Sequence, residues 1–245
     1  MKKKYQISAL FIFAVIFLAG CDKNPAEYLK LKSVKIAEGS ESGGEKSLED
    51  LRDEAKEYED EINTQVQASA KLGPVYEKLG IKYAETKSWD LSIDSLEKAL
   101  KYGNDSAKVH FYLGAAYSNR GMNLGEKTDF EKAVFHYKKS LEKNSSNSEA
   151  LYGLAFTEFY GLGDKENGLK KMKVVADSDE RNINARFALG RMYYESGNAA
   201  SALSVYEDIY SYAQSMPSSS KKDDYIKNAK ANIDQITASY GNSSK

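Results

Sequence analysis

Tyr76-Glu-Lys-Leu-Gly-Ile-Lys-Tyr83, followed by Ser92-Ile-Asp-Ser-Leu-Glu-Lys-Ala-Leu100, is the first of four occurrences of one pattern. The second is Leu113-Gly-Ala-Ala-Tyr117 with Ala133-Val-Phe-His-Tyr-Lys-Lys-Ser-Leu141. Leu154-Ala155 with Gly168-Leu-Lys-Lys-Met-Lys-Val-Val175 makes the third, and Leu189-Gly-Arg-Met-Tyr193 with Ala202-Leu-Ser-Val-Tyr-Glu-Asp-Ile209 the fourth. Within each block the apolar residues fall three and four apart, the spacing of one face of an α-helix. The small residues stand at positions 80, 114, 155 and 190, so the steps are 34, 41 and 35 residues. A period of this length holds one helical hairpin, whose apolar stripe is buried only when neighbours stack on it. Gly80, Gly114, Ala155 and Gly190 let the second helix lie close. Leu79, Leu113, Leu154 and Leu189 fill the space beside it, and Tyr83, Tyr117 and Tyr193 complete the packing set.

The pattern resembles the tetratricopeptide repeat, whose signature reads W-x-x-L-G-x-x-Y, A-x-x-x-F, A. The resemblance covers about residues 73 to 215 and implies an all-α fold, a right-handed α-solenoid of about four helical hairpins. The departures are specific. The first aromatic is replaced by His110, Leu151 and Arg186 in the later repeats, the terminal proline is missing throughout, and Glu158 stands where repeat three should have tyrosine. Repeat two carries seven extra residues, expected between its helices within 118–130.

Composition agrees with helix. Of 245 residues only three are proline and 17 glycine, too few for the turns of an all-β sandwich, while 41% are hydrophobic. With 35 basic against 36 acidic residues, no basic excess speaks for nucleic acid as a partner.

Outward from the repeats, the amino terminus reads Lys2-Lys3-Lys4, then an apolar run from Ile7 to Leu18, then Leu18-Ala19-Gly20-Cys21. Residues 1–20 have the three regions of a secretory signal, with an apolar run too short to span a bilayer. Leu-Ala-Gly-Cys resembles the bacterial lipobox, which implies diacylglyceryl attachment at Cys21, the sole cysteine, and removes any disulfide within the chain. Two or three acyl chains anchor stably where one does not. Residues 21–46, polar around Glu38-Gly-Ser-Glu-Ser-Gly-Gly-Glu45, read as anchor and flexible linker. Residues 47–71 read as an N-terminal helix opened by a Ser47/Asp50 capping box, residues 72–216 as the repeat array, and 217–245 as a C-terminal capping helix and tail. The expected location is the cell envelope outside the cytoplasm, on the periplasmic side of either membrane or at the cell surface, with membrane contact through the lipid alone.

Catalytic patterns are missing from the sequence. His110 and His136 have no ligand-like neighbours, no His-Glu-x-x-His, Gly-x-Ser-x-Gly or phosphate-binding glycine loop occurs, and Asp177-Ser-Asp179-Glu180 lacks the spacing of a calcium loop. The reading is therefore a non-enzyme that needs no cofactor or metal. In the tetratricopeptide family the first helices line a concave groove. Carried over through the Leu-small block, the groove positions include Phe111, Asn119, Tyr152, Phe156, Phe159, Tyr160, Phe187, Arg191 and Tyr194. The carboxylate clamp by which some members grip chaperone tails is absent, since Glu77 and Ile81 occupy its first positions. An apolar extended or helical segment of a protein partner suits this groove better. The competing reading is an accessory that holds a small hydrophobic molecule for a periplasmic transporter.

Overall fold

The structure, a computed structural model, describes residues 47–179 and 181–243, with side chains through Ser239. The signal segment, Cys21 and the linker lie outside the described residues. The chain divides into two compact units, 1–58 and 59–245. In the described part of the first, the Ser47 hydroxyl accepts the Asp50 amide at 3.1 Å and the Asp50 carboxylate accepts the Ser47 amide at 3.0 Å, a reciprocal capping box.

Nine α-helices follow among the described residues: α1 Leu48–Glu85, α2 Trp89–Lys101, α3 Ala107–Leu124, α4 Lys127–Lys143, α5 Ser148–Phe156, α6 Lys165–Ser178, α7 Ile183–Glu195, α8 Ala199–Ser215 and α9 Ser220–Ser243. Helix α5 runs directly into one π-helical turn, Thr157–Gly161. From α2 onward each helix packs on the next, and α3 also touches α5. The hairpins are the end of α1 with α2, then α3 with α4, α5 with α6, and α7 with α8. Side-chain caps stop the helices from running on: Ser106, Asn147, Asp164, Asn182 and Asn198 each accept an orphan amide at their helix's start.

Within each hairpin the small residue meets one large side chain of the second helix. A Cβ on Gly80 would lie 2.5 Å from Leu96 Cγ, on Gly114 2.7 Å from the Tyr137 ring, and on Gly190 2.8 Å from the Tyr206 ring. Repeat three inverts the arrangement. Its first helix carries Ala155, and the room is returned by Gly168 on α6, whose Cβ would lie 2.8 Å from the Ala155 carbonyl. Tyr137 also presses its ring on Gly153 of the following hairpin, so one side chain joins repeats two and three.

Three sequence expectations need correction. The expected break between residues 71 and 72 does not exist, because α1 continues through Pro74. Pro74 sits on an exposed face and gives up one backbone hydrogen bond, while neighbouring Gly73 is buried against Tyr102 and Asn104. The seven extra residues of repeat two do not form a loop. They lengthen the helices, so that α3 ends at Leu124 and α4 begins at Lys127, with Gly125 closing α3 in the left-handed conformation. Leu79 is 39% exposed where Leu113, Leu154 and Leu189 are at most 4% exposed. The later leucines have a preceding hairpin to pack on, and among the described residues Leu79 has none.

Tyr137 supplies the test of this packing. Gly114→Ala forces a methyl into the Tyr137 ring and is expected to cost about 1–3 kcal/mol by overpacking. Combining it with Tyr137→Leu should cost less than the two single changes together, a coupling of about 0.5–3 kcal/mol in thermal or urea unfolding followed at 222 nm. Additive losses would mean that the two side chains do not compete for the same space.

Candidate partner-binding groove

The first helices α3, α5 and α7 carry most of the predicted groove residues. On α5 and its π turn, Tyr152, Phe156 and Tyr160 form a ladder, with ring centroids 6.4 Å apart for the first pair and 4.6 Å for the second. All three are half-buried, their inner edges on the cluster around Met172 and Leu189 and their outer edges open. Steps of four along a regular helix would rotate the third ring away from the first. The π turn adds a residue to the local winding and is where such distortions tend to coincide with functional surfaces.

Charge stands beside the ladder on α7. Arg191 is exposed and acts on both Tyr152 and Tyr160. Burial pushes the Tyr160 phenol up to about 12, with Glu195 adding to the rise and Arg191 opposing it. The Tyr160 hydroxyl is buried beside Glu195 and Arg191, so the tip of the ring is fixed by α7 and its flat edge is what remains open.

The remaining predicted groove residues disperse. Phe159 belongs to the core instead: at 3% exposure it packs beside Gly168 and Met172, because the π turn rotates it inward while Tyr160 faces out. Phe187 and Tyr194 are half-buried in the cluster that α8 and α9 close, with the Phe187 ring 6.3 Å from Tyr225 of α9. Phe111 is half-buried against Tyr112 and Tyr137. Asn119 is exposed, and its amide donates to the Ala115 carbonyl of its own helix. Glu77, at the first clamp position, is already held by Asn104 at 2.7 Å and Lys108 at 3.4 Å. Glu158, the departure from consensus tyrosine, is buried and paired with Lys171 at 2.6 Å. Its neighbour Thr157 meets Ser118 of the lengthened α3 at 2.9 Å.

Sequence reasoning missed one cluster. His110 and His136 bring their Nδ1 atoms to 2.9 Å across α3 and α4, and His110 Nε2 donates to Asp105 at 2.7 Å, which Lys143 also holds at 2.8 Å. Asp105 lies five residues before His110, in the turn ahead of the Ser106 cap, a spacing with no helical meaning. With His110 donating from Nε2, its Nδ1 accepts from His136, an assignment that follows from the network. Tyr117 stacks on His136 at 5.7 Å and hydrogen-bonds Glu97. Among the described residues no group of three or more such side chains is arranged to hold a metal ion, and here the two imidazoles and the carboxylate hydrogen-bond one another.

The His136 pKa falls to about 4, through burial first, then the proximity of His110 and Lys132. The unfolded imidazole therefore binds a proton that the folded one refuses, and stability is expected to fall between about pH 6.5 and pH 4 by up to roughly 3 kcal/mol. His136→Gln should flatten the unfolding midpoint across that window, leaving the Asp105 contribution, whose lowered pKa acts only below the ordinary carboxylate value. An unchanged slope in the variant would contradict the assignment.

No family model matches the chain. A "TPR repeat-containing protein" from Borreliella burgdorferi is 20% identical over 183 residues, 73% of this chain and 78% of that one. Among solved structures, MamA protein superposes with a TM-score of 0.50 at 20% identity, covering 70% of this chain and 89% of that chain. YrrB, described as a TPR protein with an unusual peptide-binding site, superposes at 0.51 with 18% identity, covering 68% and 77%. A tetratricopeptide repeat protein from Parabacteroides merdae superposes at 0.53 with 14% identity over 70% of this chain and 62% of that one. Taken with the four hairpins and their small-residue contacts, these likenesses identify the fold of the chain as that of the tetratricopeptide repeat proteins.

Proposed function

We propose that this chain is a membrane-anchored scaffold of the cell envelope that binds an apolar segment of a protein partner in the groove of its repeats. The observation that carries the reading is the ladder of Tyr152, Phe156 and Tyr160, half-open to solvent beside the exposed Arg191. Aromatic rings held by packing lose little freedom on binding, and a guanidinium beside them fixes the register of a polar backbone or side chain. The peptide-binding site named for YrrB supports the same use of the fold. A bound segment suits the groove better than an enclosed small molecule. Two clefts of about 360 and 280 Å³ lie away from the ladder, lined by Trp89 and Arg120 in one case and Lys173 and Tyr193 in the other.

The anchoring half of the reading rests on Leu18-Ala19-Gly20-Cys21. Among the described residues no helix is long and apolar enough to cross a membrane. A linker of about 25 residues after a lipidated Cys21 would let the repeats reach several tens of ångströms from the bilayer as a random coil.

Two experiments test the two halves separately. Crosslinked co-purification should lose its specific partner in Tyr152→Ala plus Phe156→Ala and in Arg191→Glu, with affinity down at least about tenfold for the aromatic pair. Arg191 is exposed, so its variant keeps the fold even if the aromatic pair loosens the core. An unchanged partner set in both would refute the groove. Inhibition of lipoprotein signal peptidase should accumulate a precursor that retains residues 1–20, and no such shift would refute lipidation at Cys21.

A further inference from the structure

In repeats two to four, one face of the first helix is covered by the preceding hairpin. Val109, Ala150 and Ala185, which occupy the same register, are all 0% exposed, as are Ala116, Thr157 and Met192 two turns further on. In repeat one the equivalent residues are Val75 and Lys82. Val75 is 58% exposed, and its neighbours on the face, Leu72 and Leu79, are 37% and 39% exposed. The open face continues toward the start of the second unit as Ala68, Gln65 and Glu61, all exposed. Glu61, Gln65, Ala68, Leu72, Val75, Leu79 and Lys82 alternate in steps of four and three, a single seam along α1 with the spacing of a helix that packs on another helix.

The seam has a charge at each end and apolar residues between. Glu61 closes one end, next to Glu59 and Asp60, and Lys82 closes the other, with Lys71 and Lys78 along its border. A parallel partner of the same sequence would set like charges together. An antiparallel one, turned about a two-fold axis between Lys71 and Leu72, sets Glu61 against the partner's Lys82, Ala68 against the partner's Val75, and Leu72 beside the axis, with the exposed Lys71 of each copy at the border of the crossing, where solvent screens the pair. Ala68 at that crossing allows the two helices to approach closely. Both terminal charges are available. Glu61 is exposed and accepts from Gln65 at 3.3 Å, and the Lys82–Glu85 pair at 2.7 Å is exposed on both sides, the kind of pair that contributes little and re-forms readily.

We propose that the α1 seam is the interface of a homodimer, in which a second copy of this chain packs antiparallel along Glu61–Lys82 and supplies the covering helix that repeat one lacks among the described residues. A self-complementary patch of this kind closes a two-fold assembly without leaving a further edge. The face opposite carries Gly73 and Gly80, which α2 and the turn after it already occupy, so the dimer leaves the hairpin contacts unchanged.

The test is sedimentation equilibrium of the full chain in maltoside micelles, compared across charge and seam variants. Leu72→Glu plus Leu79→Glu should weaken the dimer at least about tenfold, since the apolar centre is lost. Glu61→Lys and Lys82→Glu should each weaken it by about two- to fivefold, the range of exposed ion pairs, and the double exchange should restore it. All four positions are exposed, so far-ultraviolet circular dichroism should stay unchanged. If the double glutamate variant unfolds, Leu79→Gln reads the same contact more gently. A chain that stays monomeric at every concentration, a dimer indifferent to the seam variants, or a double exchange that fails to restore affinity each overturns the proposal. Tyr152→Ala plus Phe156→Ala should leave the dimer intact, which keeps this result separate from the fate of the groove.

Discussion

The distance between the two helices of each hairpin is the constraint on which the rest of the structure depends, and it is set by a trade of volume between two positions. Where the first helix carries glycine, as at 114 and 190, the second answers with tyrosine, Tyr137 and Tyr206. Where it carries Ala155, the answer is the slimmer and more pliable Met172, fully buried, with Gly168 making further room one turn away. Because interiors pack at nearly crystalline density, the sum in repeats two to four is kept similar while its division is free, and the first hairpin, where Gly80 meets Leu96, has the smallest pair. This accounts for a repeat that tolerates wide sequence drift. Nothing requires the consensus residue at either position, only a partner of complementary size.

The same logic explains how repeats two and three absorb their irregularities together. Lengthening α3 and α4 brings Phe130 over Gly121 and Gly161, and Ser118 within reach of Thr157. The added length needs a partner surface, and the π turn supplies it by widening the end of α5. Glu158, placed by that turn in the interior, is tolerated because Lys171 on α6 meets it at 2.6 Å. A buried carboxylate without that ammonium would cost several kcal/mol. The weak signature of repeat three thus sits where the lengthened helices of repeat two pack on it, and the rings Tyr152, Phe156 and Tyr160 lie where the distortion reaches the surface.

How far these features were legible follows from the range of the interactions behind them. The hairpins, their order and the small-residue contacts were written in spacing, since Leu79, Gly80 and their counterparts recur at a fixed period. The continuity of α1 through Pro74 was not legible, because a proline flanked by glycine signals a break, and its tolerance depends on which face meets solvent. The inward turn of Phe159 was hidden for another reason. On a 3.6-residue helix it shares a face with Tyr152 and Phe156, and only the extra residue of the π turn separates them. The His110–His136 pair was out of reach because the contact crosses 26 residues and its third member, Asp105, sits in an irregular turn.

A repeat protein also contains its own controls. The same register is sampled four times, at Val75, Val109, Ala150 and Ala185, with similar residues, and the exposure changes from 58% to 0% solely with the presence of a preceding hairpin. Local propensity cannot account for that difference, since all four sit in helices. The carboxy-terminal end of the array meets the equivalent problem differently. Helix α9 lays Ala229 and Ile236 on the last hairpin at 0% and 2% exposure and presents Lys227, Asn228 and Lys230 outward. Among the described residues, one end of the array is thus finished by a helix and the other presents an apolar face. Translational symmetry makes the two ends chemically alike before capping, so among the described residues the polar-backed helix at one end and the exposed leucine and valine seam at the other are different surfaces.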